Sequence, residues 1–157
     1  MFRLFKKNLD LNIYSPVCGK CIDITNVKDI TFSSKMMGDG VAIIPSNNKI
    51  TAPFDGEIIM MFPTKHAFGI RRSDGIEVLV HIGIDTVNSN GKGFVSYVNT
   101  HDKVKKGDLI ILFDENQMDD KYDMTTMLIL TKGNIESFDK INLEKEVLSE
   151  ECLLESR

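Results

Sequence analysis

Apolar and polar residues alternate along this chain in short runs broken by glycine, asparagine and aspartate, which predicts many short strands and few helices. The runs cover residues 15–24, 40–45, 49–52, 56–62, 67–71, 76–82, 103–104, 109–113, 126–131 and 151–154. Turn signals separate most of them: Gly38-Asp39-Gly40, Ser46-Asn47-Asn48, Asp55-Gly56, Asn90-Gly91-Lys92-Gly93 and Gly107-Asp108. Strands at this density predict an all-β domain, an antiparallel β-sandwich or barrel-sandwich hybrid with only short helical turns. One short helix is predicted over residues 115–122, with Asp114 as its cap. Two glycine-bearing elements, Ala52-Pro53-Phe54-Asp55-Gly56 and Val104-Lys105-Lys106-Gly107-Asp108, each precede an apolar strand and suggest related corners.

Residues 64–87 hold two of the three histidines, His66 and His81, on apolar runs joined by the turn Arg71-Arg72-Ser73-Asp74-Gly75. A two-residue loop at Ser73-Asp74 sets His66 directly opposite His81. One at Asp74-Gly75, the favoured type I′ sequence, makes them diagonal neighbours. Either register puts both rings on one face, about 4.5 to 8 Å apart at Cβ, and Thr64 joins them there by alternation. A three-residue loop would put them on opposite faces.

Composition bounds what such a face is for. At 157 residues and 42% apolar, the chain is read as a single domain over residues 1–157 with a short mobile N-terminal segment at about 1–12. The net charge of −4 argues against nucleic acid as a partner. The start, Met-Phe-Arg-Leu-Phe-Lys-Lys, lacks the apolar core of a signal peptide, and no run is long enough for an integral membrane segment, so a cytoplasmic location is expected. Three cysteines are too few and too odd in number for a disulfide framework. Cys18 and Cys21 form a C-x-x-C, but residues 14–24 read as a hairpin turning at Gly19-Lys20, without the helix start that a redox motif needs, and are taken as plain reduced cysteines.

Three chemistries fit two facing imidazoles. His81 can be a nucleophile that forms a phosphohistidine, with His66 donating to the phosphoryl oxygens and Thr64 fixing the tautomer of His66. Both rings can bind zinc with a carboxylate such as Asp85 and a water, giving a hydrolase. The pair can also be an inert part of a binding module. Around them, Ile30, Phe32, Met36, Met37, Phe62 and Leu79 lack a clear core period and are read as an adaptable docking patch, with single-residue core roles as the alternative.

The run Thr64-Lys65-His66-Ala67-Phe68-Gly69-Ile70, with Gly75-Ile76-Glu77-Val78-Leu79-Val80-His81-Ile82-Gly83-Ile84-Asp85-Thr86-Val87 and Gly91-Lys92-Gly93-Phe94, closely resembles the glucose-type enzyme IIA of the bacterial sugar phosphotransferase system. Ser15-Pro16, Met37-Gly38-Asp39-Gly40-Val41-Ala42-Ile43 and Ala52-Pro53-Phe54-Asp55-Gly56 extend the likeness over residues 15–131. The resemblance implies an antiparallel β-sandwich and a cytoplasmic phosphotransferase component with a phosphohistidine intermediate. It implies that His81 accepts phosphate from phospho-HPr through Nε2 and passes it to the IIB domain of a sugar permease. His66 would hydrogen-bond the phosphoryl group, Thr64 would support that ring, and the apolar surround would dock both partners, with Asp29, Asp85 and Val87 at its border.

The two aspartates would face an arginine of HPr. Regulatory targets are implied too, because the phosphorylated and free forms present different charge on one patch. No cofactor is required, and zinc at His66 and His81 is expected only as an adventitious or interface ion. A zinc peptidase of similar architecture would need His-x-His, where this chain has Leu79 two residues before His81. The likeness weakens after Thr131, where Glu150-Glu151 stands in place of a glycine-containing turn.

Overall fold

The computed structural model describes residues 8–157 and consists of antiparallel sheets linked by short helical turns. In chain order the strands are β1 (Ile13–Tyr14), β2 (Gly19–Asp23), β3 (Asp39–Pro45), β4 (Lys49–Thr51), β5 (Gly56–Met61), β6 (Ala67–Arg71) and β7 (Glu77–Ile82). Then come β8 (Phe94–Ser96), β9 (Lys103–Val104), β10 (Leu109–Phe113), β11 (Thr126–Lys132), β12 (Phe138–Lys140), β13 (Glu146–Val147) and β14 (Cys152–Ser156). One short α-helix, α1 (Ile30–Ser33), lies between β2 and β3. The large sheet has the order β13-β2-β3-β11-β7-β6-β5-β9; β4-β10-β8 and β1-β14-β12 form two three-stranded sheets. The sheets are open, which makes the fold a sandwich rather than a closed barrel.

The central strands are covered on both faces. Val41 and Ile43 of β3, Val78, Val80 and Ile82 of β7 and Leu128 of β11 enter the main core with Ile50, Ile110 and Ile111 from the facing sheet. The alternate residues, Ala42, Leu79, Met127 and Ile129, meet Ile24, Val27 and Phe32 in a second, smaller cluster. Hence residues 78–82 read as a nearly continuous apolar run, the pattern of a strand with no solvent face. His81 shares the parity of Leu79 and pairs with Met127, so it belongs to the side of the sheet that carries the smaller cluster.

Several expectations are corrected. The helix predicted over residues 115–122 is only the 3-10 turn Glu115–Gln117, capped as predicted by Asp114 accepting from Asn116 N at 3.0 Å. Asp119 and Asp120 would occupy the negative end of a longer helix, which disfavours its extension. Gly19 and Lys20 are not a hairpin turn: they lie within β2, paired with Pro45 and Ile44 of β3. The backbone of Ile44 approaches so closely that a Cβ on Gly19 would sit 2.1 Å from its carbonyl oxygen, so glycine serves contact here rather than turning. All three cysteines are free, and burial pushes the Cys21 thiol up to about 11, far from thiolate chemistry.

The mobile segment expected over about residues 1–12 falls partly outside the described residues. At its end, Arg72, itself buried, donates to Leu11 O at 2.9 Å, and Asn12 Oδ1 accepts from Ser156 N at 2.9 Å. The two glycine-bearing corners pair with each other. Ala52 N donates to Asp108 O at 2.9 Å, Gly107 N returns a bond to Ala52 O at 3.0 Å, and Asp55 Oδ1 accepts from Lys106 N at 2.8 Å. After Thr131, β14 bridges β1 and β12. Glu150 adopts φ +73, the left-handed conformation that a glycine would otherwise favour in that turn.

Candidate functional site

The two histidines meet, but by a different route from either predicted register. In the β6–β7 hairpin the partners sum to 148, with Ala67 opposite His81 and Arg71 opposite Glu77. The loop is three residues long: Arg72 N donates to Ile76 O, Gly75 N donates to Arg72 O, and Gly75 sits at φ +97. This is a type I turn closed by a left-handed glycine, the connection that on a continuing strand would put the histidines on opposite faces. The strand does not continue. Lys65 takes φ +58, which breaks the alternation before β6 begins, while His66 O still accepts from Ile82 N at 2.7 Å. His66 itself lies just before β6, outside the paired strand, and its ring meets that of His81 with centroids 4.9 Å apart at 81°.

Each ring is held at Nδ1. Thr64 Oγ1 lies 2.6 Å from His66 Nδ1. His81 Nδ1 lies 2.9 Å from Gly83 O. A carbonyl only accepts, so His81 carries its proton on Nδ1, and Nε2 keeps its lone pair when the ring is neutral. Phe32 packs on His81 with centroids 4.9 Å apart, and Phe62 meets His66 edge-on at 5.5 Å. His66 is buried and His81 half-buried. Burial, with repulsion from His81, holds the His66 pKa down to about 4. Burial also lowers that of His81, opposed by the Gly83 hydrogen bond and the Asp29 carboxylate. Near neutral pH the geometry thus presents two uncharged imidazoles, one with a defined nucleophilic nitrogen.

Some of the residues predicted around the pair are exposed and some buried, and Phe62 is half-buried against the smaller cluster. Ile30, Met36, Met37 and Val87 are exposed apolar side chains, and Asp85 is exposed in a left-handed conformation, φ +61. Asp29 is half-buried, caps α1 by accepting from Thr31 N at 2.9 Å, and stands close enough to act on His81 electrostatically. Phe32 and Leu79, by contrast, are only 5% and 9% exposed and lie in the smaller core cluster. They support the site from beneath, and their apolar character reflects core packing rather than a docking surface. The short helix α1, not predicted, is what brings Phe32 under His81 while leaving Ile30 outside; its signal was the capping aspartate before Ile30.

Two parts of the site carried no signal by residue type. The acceptor for His81 is a backbone carbonyl, that of Gly83, and the buried Thr86 behind it is, by sequence, one member of the run 75–87 with no role of its own. His101 is solvated, its side chain 82% exposed beside Glu57. Among the described residues no group of three or more His, Cys, Asp or Glu side chains gathers to hold a metal ion, so Asp85 does not join the histidines as a third ligand.

Comparison with known proteins gives a consistent picture. Residues 11–135 match the family described as phosphoenolpyruvate-dependent sugar phosphotransferase system, EIIA 1. The chain is 51% identical over 105 residues to the PTS system glucose-specific EIICBA component of Staphylococcus saprophyticus subsp. saprophyticus. That alignment takes in 67% of this chain and 16% of the much longer relative. Among solved structures it is similar to glucose permease IIA from Mycoplasma capricolum, with a TM-score of 0.83 and 34% identity over 94% of this chain and 96% of that one.

Proposed function

The chain belongs to the EIIA 1 family of the phosphoenolpyruvate-dependent sugar phosphotransferase system, and from that premise we propose that it is a phosphocarrier whose acceptor is His81. Phospho-HPr is the donor in this reading, and the IIB domain of a sugar permease is the recipient. A cytoplasmic location accords with both partners. The observation that carries the proposal is the bond from His81 Nδ1 to Gly83 O, which leaves the Nε2 lone pair of the neutral ring free.

The chemistry follows from that placement. The Nε2 lone pair forms a bond to phosphorus as the donor's nitrogen–phosphorus bond breaks, through a loose transition state with charge spread over three equatorial oxygens. As Nε2 gives up its lone pair, positive charge develops on the ring, and the Gly83 carbonyl stabilises the Nδ1–H that carries part of it. His66 is neutral because of its low pKa, and with the Thr64 hydroxyl as donor in its 2.6 Å bond to Nδ1 the ring proton sits on Nε2, available to a phosphoryl oxygen. The exposed Ile30, Met36, Met37 and Val87 supply an apolar rim for docking, and Asp29 and Asp85 supply charge for a basic partner.

Radiolabel from phospho-HPr should be retained by the wild-type chain and not by His81→Ala. Retention in that variant would move the acceptor elsewhere. His66→Gln should still be phosphorylated but should pass phosphate onward about a hundredfold more slowly, the usual cost of one preorganised donor.

A further inference from the structure

The bend that follows His81 is held at both ends of two successive peptide units. In the unit between residues 82 and 83, Ile82 O accepts the Thr86 hydroxyl and Gly83 N donates to Thr125 O at 3.0 Å. In the unit between residues 83 and 84, Gly83 O accepts from His81 Nδ1 at 2.9 Å and Ile84 N donates to Asp123 O at 2.8 Å. The Asp123 carboxylate in turn accepts from Thr125 N at 2.9 Å and from its hydroxyl at 2.7 Å, keeping residues 123–125 in shape. Gly83 has φ +82, which aims its carbonyl back at the ring, and a Cβ there would lie 2.4 Å from Thr86 Cγ2. Thr86 has no exposed surface.

Of the four anchors on these two peptide units, two are backbone carbonyls of the neighbouring segment and one is His81. The fourth is the only other side chain, and it touches the bend twice: its hydroxyl fixes the carbonyl before Gly83 and its methyl closes the space over the Gly83 α-carbon. We propose that Thr86 is a positioning residue for phosphoryl transfer: by fixing the peptide plane before Gly83 it orients the Gly83 carbonyl and so keeps the His81 proton on Nδ1 and Nε2 free. The inference rests on the reading of His81 as the phosphoryl acceptor.

Two substitutions separate the hydroxyl from the bulk. Thr86→Val keeps the shape and leaves the Ile82 carbonyl without its partner; Thr86→Ser keeps the hydroxyl and drops the methyl. The readouts are the tautomer of His81, from long-range nitrogen–proton correlation spectra of the unphosphorylated chain, and the rate of labelling by phospho-HPr. We expect Thr86→Val to show a mixture of tautomers and a labelling rate lowered about 10- to 100-fold, as for displacement of a reacting group by a fraction of an ångström, with Thr86→Ser restoring the single tautomer. Where Thr86→Val does not fold, Thr86→Ser against Thr86→Ala carries the same comparison, since only the serine retains the donor. A folded variant lacking the hydroxyl but holding His81 wholly in the Nδ1–H tautomer would overturn the proposal. Failure of the acceptor reading is distinct, because wild-type His81 would then take no label.

Discussion

Burial of His66 ties stability to pH in a window where few other groups act. In the unfolded chain this imidazole titrates near 6.5, and in the fold near 4. Between those values the unfolded chain binds a proton that the folded chain refuses, so stability falls as pH drops and is fully regained above about 6.5. The full difference is worth about 3 kcal/mol, of which about 2 kcal/mol is lost between pH 7 and pH 5. Asp10, Asp23, Asp39 and Asp74 are held below their ordinary value of 3.8, so their losses begin only at more acidic pH. His81 contributes in the same direction as His66.

Urea unfolding at pH 7 and pH 5, in wild type and in His66→Gln, reads the effect directly. With a dependence of about 2 kcal/mol per molar urea, the wild-type midpoint should fall by about 1 M on acidification. The variant, lacking the group, should fall by clearly less, with only the His81 part remaining. Equal falls in the two proteins would show that His66 is not desolvated as described, and the argument for a neutral hydrogen-bond donor at this position would go with it.

Three other outcomes follow from particular contacts. Ile30→Glu and Met36→Glu, at exposed positions of the proposed rim, should raise the KM for phospho-HPr about tenfold or more without moving the melting temperature; unchanged KM would exclude these residues from docking. Lys140 is half-buried between Asp23 at 2.7 Å and Asp39 at 2.6 Å, so Lys140→Met should cost about 2 kcal/mol in urea unfolding at neutral pH and much less where the aspartates are protonated. Phe68 is fully buried in the main core, and Phe68→Ala should lower stability by about 3 to 5 kcal/mol in the same assay.

Much of this fold was legible because period and punctuation agreed. The runs at 67–71, 103–104 and 109–113 are strands with those bounds. Strands β1, β8, β12 and β13 have only two or three residues, too few to show a period, and lack the corner Val104-Lys105-Lys106-Gly107-Asp108 that marks the equally short β9. The meeting of His66 and His81 was anticipated for the wrong reason. Parity arithmetic assumes an extended strand through both residues, whereas β6 begins at Ala67 and His66 lies just outside it, after a left-handed Lys65 that no residue type announces. Phe32 and Leu79 show the complementary limit: an apolar residue near a reactive group reads alike whether it faces a partner or lies under the site. The Gly83 carbonyl was invisible because every residue has one, and only the turn that aims it makes it chemical.

In the proposed reaction the Nε2 nitrogen of His81 is the acceptor, and one experiment addresses it most directly. The chain is incubated with enzyme I, HPr and phosphoenolpyruvate, its intact mass is followed, and the phosphorylated product is examined by nitrogen-15 spectroscopy. The expected result is one acid-labile phosphate per chain, bonded to Nε2 of His81 with the proton still on Nδ1. A chain that remains unmodified, or a phosphate on any other atom, would contradict it.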